Sequence, residues 1–309
     1  MKAIELTNFG GVENLQLIKK EKPTLNNGEV LVKVKNIGLN PVDYKTRQGG
    51  GIASRFELPG ILGWDISGEI EVENDNNPKF KKGDAVFGMV NFPGVGNAYA
   101  EYVAVPENQL ALKPSNLSFE EAAALTLAPL TAYQALVKEA KVKKGDRVLV
   151  QAAAGGVGHL AVQILKNVGA HIIGTASGKN EQFVKDLGVD EFIDYTKEDF
   201  TKLVSDVDVV FDGVGEKVGE ESIKVLKQGG IMISIPSGVK PDWKALRPDV
   251  NAIQFLVVSN GEDMEALAKM TTEGNLTVTV SDVLPFEKVG EAHLQLETRK
   301  TQGKIVLSL

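Results

Sequence analysis

A polypeptide can lie close against a pyrophosphate where side chains are missing, and a helix that starts there adds free N–H groups and the positive end of its dipole. The apolar run Val148–Ala152 leads into Ala153-Ala154-Gly155-Gly156-Val157-Gly158, and Leu160, Ile164, Leu165 and Val168 follow at helical spacing. Ala154, Gly155, Gly156, Val157 and Gly158 are therefore the candidate phosphate contacts, with Ala153 at the first-glycine position of the dinucleotide pattern. A glycine-rich turn also joins strands to helices with no ligand. Here a strand before it, a helix after it and a unit of about 30 residues supply the context that dinucleotide binding requires.

The next strand, His171–Thr175, distinguishes between coenzymes. An NAD site carries Asp or Glu about twenty residues beyond the glycines, to hold the ribose hydroxyls. This chain reads Thr175-Ala176-Ser177-Gly178-Lys179 at that point. With no carboxylate in that stretch, Ser177 and the ammonium of Lys179 are suited to a 2′-phosphate. Taken alone, Ser-Gly-Lys also reads as a solvated turn; after the glycine loop it favours NADPH over NADH.

Composition removes several other chemistries. The 309 residues include no cysteine, so disulfides, thiolate nucleophiles, iron–sulfur clusters and cysteine-containing zinc sites are excluded together. The three histidines, His159, His171 and His293, do not form a His-x-x-x-His pair and read as ordinary helix or strand-end residues. We expect no bound metal. Lys and Arg total 34 against 41 Asp and Glu, a formal charge of −7 with no basic stripe, which argues against nucleic acid. No apolar run is long enough to cross a bilayer and no apolar leader opens the chain, so the expectation is a cytoplasmic protein without a membrane partner. Neither a Gly-x-Ser-x-Gly elbow nor a P-loop occurs, which weakens hydrolase and nucleotide triphosphatase readings.

The elements that must position these residues fall into two styles. Residues 1 to about 115 alternate apolar and polar types in short runs, as in Val30–Val34 and Asp65–Val72, the mark of antiparallel strands. At Ser118, Ser-Phe-Glu-Glu fits a capping box that starts a helix. From Arg147 strands and helices alternate, with further strands at 191–193, 207–211, 230–235 and 253–258. This is an α/β pattern that implies a doubly wound parallel sheet. A strand at 277–283, a helix at 286–297 and a strand at 304–309 return to the first style. The expected domains are residues 1–117, a nucleotide-binding domain at 118–276, and a return to the first domain at 277–309.

Val150-Gln151-Ala152-Ala153-Ala154-Gly155-Gly156-Val157-Gly158 resembles the coenzyme loop of the quinone oxidoreductase branch of the medium-chain dehydrogenase/reductase superfamily. The resemblance extends along the whole chain in Ile37–Asp43, Pro59–Gly68, Lys82–Val86, Leu130–Tyr133 and Gly303–Leu307. It implies a GroES-like, mainly antiparallel β catalytic domain enclosing a Rossmann domain. Zinc-dependent members of the superfamily carry a cysteine where this chain has Asn40 and a His-Glu pair where it has Trp64-Asp65, and their four-cysteine lobe has no counterpart. The resemblance therefore implies a zinc-free enzyme passing hydride from NADPH to a quinone or a related conjugated carbonyl.

By the same resemblance, a cleft is expected to be lined by Asn40, Tyr44, Trp64 and Thr126, with Asp212, Gly213, Val214 and Phe255 on the nicotinamide side. The Asn40 amide or the Tyr44 hydroxyl is the expected donor to a developing oxyanion, with solvent completing protonation. Asn40 before Pro41 also suits a plain turn, and Tyr44 and Trp64 also suit a core. Tyr195 is expected near the adenosine phosphate and Lys304 near cofactor or substrate, although each also reads as a surface residue. Lys45 and Arg47 offer a thin basic approach for a coenzyme A thioester, so a 2-alkenal or enoyl-thioester reductase is the near alternative. A non-catalytic NADPH-binding protein is the distant one. The apolar run 253–258 suits an edge strand pairing two subunits into a homodimer.

Overall fold

Apolar residues at every second position make the first third of the chain a set of short strands. In chain order these are β1 (Lys2–Leu6), β2 (Leu15–Lys19), β3 (Glu29–Gly38), a helix α1 (Pro41–Arg47), then β4 (Gly60–Ile61), β5 (Asp65–Val72), β6 (Ala85–Met89), β7 (Tyr102–Pro106) and β8 (Leu110–Leu112). This is a computed structural model, and it describes residues 1–74, 78–235 and 241–309. The capping box forms as the sequence implies: the Glu121 N–H donates to Ser118 Oγ (3.1 Å) and the Ser118 N–H to Glu121 Oε2 (2.8 Å). They start α2 (Phe119–Ala124), which breaks at Leu125–Thr126 before α3 (Leu127–Tyr133).

The alternating stretch then gives β9 (Arg147–Val150), α4 (Gly158–Val168), β10 (His171–Ala176), α5 (Glu181–Leu187), β11 (Glu191–Asp194), α6 (Phe200–Leu203), β12 (Val207–Asp212), α7 (Glu216–Lys224), β13 (Leu226–Ser234), α8 (Pro241–Leu246) and β14 (Asn251–Gln254). The six strands are parallel, in the order β11-β10-β9-β12-β13-β14. That is the Rossmann order, which reverses direction between β9 and β12, where such sheets bind ligands. Leu149, Ile173, Val210 and Met232 form its core together with Trp243. Such strands are apolar on both faces because helices cover both.

The last segment supplies α9 (Gly261–Thr272), β15 (Val280–Pro285), α10 (Val289–Glu297) and β16 (Lys304–Ser308). β16 lies between β15, parallel to it, and β3, antiparallel to it, in a seven-stranded sheet that also contains β5, β6, β7 and β8. β2, β1 and β4 form a separate small sheet. This β-rich unit is mainly antiparallel.

The two compact units are Met1–Leu130 with Val257–Leu309, and Thr131–Leu256. They divide the chain at other points than the sequence expectation, which joined 118–130 and 257–276 to the nucleotide-binding part. Side-chain hydrogen bonds explain the difference. Ser67 Oγ on β5 donates to the Phe119 carbonyl (2.6 Å), holding α2 on the β-rich sheet. The Asn116 amide donates to the Thr271 carbonyl (3.2 Å), and the Phe92 N–H to Ser259 Oγ (2.8 Å), which fix α9 and the segment before it. The run 253–258 is strand only to Gln254, and β14 is an outer strand of the parallel sheet. Among the described residues, no helix is long and apolar enough to cross a membrane.

Candidate functional site

In the α/β unit the loop after β9 turns through Ala152, whose φ of 56° is left-handed and costly for a residue with a Cβ. β10 holds that turn: the Ala153 N–H bonds to the Thr175 carbonyl (2.8 Å) and the Ala152 N–H to Thr175 Oγ1 (3.3 Å). Gly158 is obligatory, since a side chain there would fall on the Ala152 carbonyl oxygen. The N–H groups of Gly156, Val157 and Gly158 find no acceptor among the described residues. Three unpaired donors at the start of an eleven-residue helix, beside half-buried glycines, fit a pyrophosphate. Ala154 is buried beside them.

His159, which the sequence reading left as an ordinary helix residue, reinforces this cradle. Its Nδ1 lies 2.8 Å from the Gly155 carbonyl oxygen, which can only accept, so Nδ1 carries the proton. Thr175, expected as a coenzyme contact, also supports this turn. It is buried, and its hydroxyl donates to Gln151 Oε1 (2.6 Å), whose amide in turn donates to Ser222 Oγ (2.9 Å). Gln151 stands in the sequence motif but carried no assigned role there.

At the turn after β10, Ser177 is half-buried and accepts from the Asn180 amide (3.2 Å), while the exposed Lys179 ammonium has no partner among the described residues. Tyr195 is 60% exposed, and its N–H bonds to the Ala176 carbonyl (3.2 Å), which ties its backbone to the end of β10. The structure adds a carboxylate that the local sequence does not show: Asp194, at the end of β11, lies against Gly178. The Thr196 hydroxyl (2.7 Å) and N–H (3.0 Å), with Lys197 Nζ at 3.4 Å, hold its carboxyl below the usual range despite burial. Its charge is thereby matched within the turn.

Asp212 ends β12, and its carboxylate is fully used: Oδ1 accepts from the Val214 and Gly215 N–H groups (2.9 and 2.8 Å), and Oδ2 from the Ser234 hydroxyl (2.8 Å). It shapes the loop that leaves Gly213 and Val214 exposed. Phe255 is half-buried, and its N–H extends the β14 pairing to the Ser234 carbonyl (2.9 Å).

In the β-rich unit, Asn40, Asp65, Thr126 and Lys304 converge in one buried polar centre. Asn40 Nδ2 donates to Asp65 Oδ2 (2.7 Å), and Lys304 Nζ donates to the side-chain carbonyl of Asn40 and to the Leu39 carbonyl (2.7 Å), with Asp65 Oδ2 at 3.9 Å. The Leu127 N–H reaches Asp65 at 3.2 and 3.3 Å, and Thr126 Oγ1 donates to the Ala123 carbonyl (3.0 Å). Burial pushes the Asp65 carboxyl up and the Lys304 ammonium down, and each charge opposes the other's shift.

These contacts show how the expected site residues use their polar groups inside the β-rich unit. Lys304 spends two of its donors on the Asn40 side chain and the Leu39 carbonyl, and the Thr126 hydroxyl donates to the Ala123 carbonyl. Asn40 occupies the start of α1 but uses its amide on Asp65 and Lys304. Trp64 is fully buried, its indole N–H donates to the Gly94 carbonyl (2.8 Å), and its ring meets Phe92 edge-on at 5.7 Å, so it belongs to the core. Tyr44 differs from all of these. Its ring is 6% exposed, yet its hydroxyl has no hydrogen-bond partner among the described residues.

A second buried chain ends beside Asn40. The Asn40 N–H donates to Asp43 Oδ2 (2.7 Å), and Tyr99 Oη donates to Asp43 Oδ1 (2.9 Å). Tyr99 Oη also lies 2.9 Å from His293 Nε2, while Arg47 Nε–H points to His293 Nδ1 (3.3 Å). Arg47 pairs with Glu297 and donates to the Gly10 carbonyl (2.5 Å). Burial is the main cause of two shifts: Asp43 rises to about 7 and His293 falls to about 3. The Asp43 contact with Asn40 is legible in the three-residue spacing across Pro41. Tyr99 and His293 meet across 194 residues, which no local signal reveals.

A Rossmann sheet with an open phosphate loop, and a β-rich unit with a buried polar centre, are the two parts of a medium-chain dehydrogenase/reductase. Residues 26–115 match the alcohol dehydrogenase GroES-like domain and residues 187–307 the zinc-binding dehydrogenase family. The tomato (Solanum lycopersicum) 2-methylene-furan-3-one reductase is 38% identical over 99% of this chain and 79% of its own. Among solved structures, the quinone oxidoreductase from Coxiella burnetii superposes with a TM-score of 0.94 at 38% identity, covering 100% of this chain and 99% of the other. The Escherichia coli quinone oxidoreductase complexed with NADPH gives 0.90 at 28% identity, with 100% of both chains covered. The chain belongs to the quinone oxidoreductase branch of the medium-chain dehydrogenase/reductase superfamily.

Proposed function

We propose that this protein is an NADPH-dependent reductase that works without a metal and reduces a quinone or a related conjugated carbonyl compound. The coenzyme is NADPH, in line with the relative solved with it, and when bound it supplies the hydride. The observation that carries the reading is that each of the two units holds donors without a partner among the described residues. Gly156, Val157 and Gly158 offer N–H groups for the pyrophosphate, and Tyr44, otherwise buried, offers a hydroxyl that no described residue bonds. Ser177 and Lys179 bind the 2′-phosphate and Tyr195 covers the adenosine. Gly213, Val214 and Phe255 serve the nicotinamide.

Hydride arrival at a conjugated carbonyl drives an electron pair onto its oxygen. A donor already aimed at that oxygen lowers the barrier because no reorganisation is needed. Tyr44 is that donor; solvent then delivers the proton. Metal independence is supported by the chemistry of the centre: Asn40 and Asp65 bond to each other and to Lys304, whose ammonium supplies the positive charge there. Among the described residues, no cluster of three or more His, Asp or Glu is placed to hold a metal ion.

Of the two reductase readings, the thioester alternative loses support, because Arg47 is buried against His293 and Glu297 and offers nothing to coenzyme A phosphates. Residues 251–254 form an outer strand, which supports pairing into a homodimer; a sedimentation mass of one chain would exclude it. The function is tested by following NADPH and NADH oxidation against a benzoquinone, a naphthoquinone, an alkenal and an enoyl thioester. Preferential NADPH consumption with the quinones or the alkenal is expected. Reaction with the thioester alone would overturn the substrate, and tight NADPH binding without turnover would favour a binding protein.

A further inference from the structure

The chain Arg47–His293–Tyr99–Asp43 has only one consistent set of proton positions while Asp43 is ionised. Arg47 Nε always carries hydrogen, so His293 Nδ1 must accept and the proton of the neutral ring sits on Nε2. Nε2–H then donates to Tyr99 Oη, which leaves the Tyr99 proton for Asp43 Oδ1. The other carboxylate oxygen accepts the Asn40 N–H. Every donation points towards Asp43. If Oδ1 were protonated, the carboxyl would have to donate to Tyr99, and the phenol would turn its hydrogen against Nε2–H. If Oδ2 were protonated, the bond that ties down Asn40 would weaken.

We propose that Asp43 is a positioning residue whose carboxylate, held by the directed chain from Arg47 through His293 and Tyr99, fixes the Asn40–Tyr44 segment in its working place, and that protonation of Asp43 releases it. The inference rests on the reading of Tyr44 as the oxyanion donor. Asn40 is the extended residue that caps α1 and Tyr44 lies in the first turns of that helix, so a shift at the cap moves the helix start and the phenol with it. The other charged groups acting on Asp43 are Asp65 on β5, which opposes its ionisation, and Lys304 on β16, which favours it. Arg47 and Glu297 close the far end of the chain as an ion pair.

The test combines turnover with magnetic resonance. Since Asp43 titrates at about 7, kcat is expected to fall about tenfold from pH 8 to pH 6 with NADPH saturating, while the KM for NADPH stays within about twofold. Asp43→Asn should be slower and should lack this acid limb. His293→Phe should move the limb to higher pH, and His293→Gln, which can still accept from Arg47 and donate to Tyr99, should restore it. Independently of any substrate, the ring nitrogens of the three histidines should show His293 neutral and protonated on Nε2 from pH 5 to 8. Ring resonances of labelled Tyr44 should shift with the Asp43 midpoint and stop doing so in Asp43→Asn. A His293 that carries its proton on Nδ1 or titrates in that range, a Tyr44 signal indifferent to Asp43, or a wild-type kcat flat from pH 6 to 8 would each overturn the proposal. Failure of every quinone and enone would sink the functional reading, yet the histidine and tyrosine spectra would still decide this one.

Discussion

Asn40 Nδ2 donates to Asp65 Oδ2 at 2.7 Å, joining two positions at which zinc-dependent members of the superfamily place metal ligands or their immediate neighbour. Lys304 closes the triangle through the Asn40 side-chain carbonyl. All three residues are buried, so removing one charge leaves the other without compensation. Asp65→Asn is expected to destabilise the fold by about 3–5 kcal/mol, because the Lys304 ammonium then stays buried and unpaired. Urea unfolding measures it; a loss below about 1 kcal/mol would show that Asp65 and Lys304 do not form a working ion pair.

Tyr44→Phe removes a hydroxyl that no described residue uses, so stability should change little. The kcat for a quinone or enone should drop roughly a hundredfold or more, as when an oxyanion donor is lost, with NADPH binding unchanged. Equal turnover in the variant would return Tyr44 to a packing role.

Lys179 and Thr175 both follow the glycine loop, but Lys179 is exposed while Thr175 is buried and bonded to Gln151. Lys179→Ala is expected to reduce the preference for NADPH over NADH by about 10- to 100-fold, the worth of a charged hydrogen bond to phosphate. Thr175→Val should leave that preference intact and instead cost about 1–3 kcal/mol, because Gln151 Oε1 loses its donor in a buried site. KM ratios for the two coenzymes, with unfolding curves for both variants, check the pair.

His293 and Asp43 give opposite pH slopes. The imidazole is held down to about 3 in the fold against 6.5 when free, so its contribution to stability is present above 6.5 and is lost as pH falls, because only the unfolded chain takes up the proton. Asp43 is raised from 3.8 to about 7, so its contribution is present below about 4 and is lost as pH rises towards 7. His293→Gln removes the first slope. Relative to that variant, the wild type should lose about 1.4 kcal/mol per pH unit below 6.5, measured by denaturation at about pH 7.5 and 5.5.

The parallel sheet was legible because strand, glycine turn and helix leave local signals in order, from Val148 to Val168. The capping box at Ser118 was legible for the same reason. The glycine loop with its open N–H groups followed, since its geometry is carried by backbone and by the absence of side chains. The β-rich centre was not readable in that way. Asn40, Tyr44, Trp64, Thr126 and Lys304 were found by resemblance, and their roles diverge only when partners are known: Lys304 reaches Asn40 across 264 residues. The return of 118–130 and 257–276 to the β-rich unit likewise depends on single hydrogen bonds, such as Ser67 to Phe119, that no periodicity encodes.

The central claim is tested most directly by reducing an enone with NADPH deuterated at nicotinamide C4 and locating the label in the product. Deuterium on the β-carbon, with the α-proton drawn from water and the whole reaction slowed in Tyr44→Phe, is the predicted result. A product without deuterium from the coenzyme, or labelled turnover that needs an added metal ion, would contradict the account.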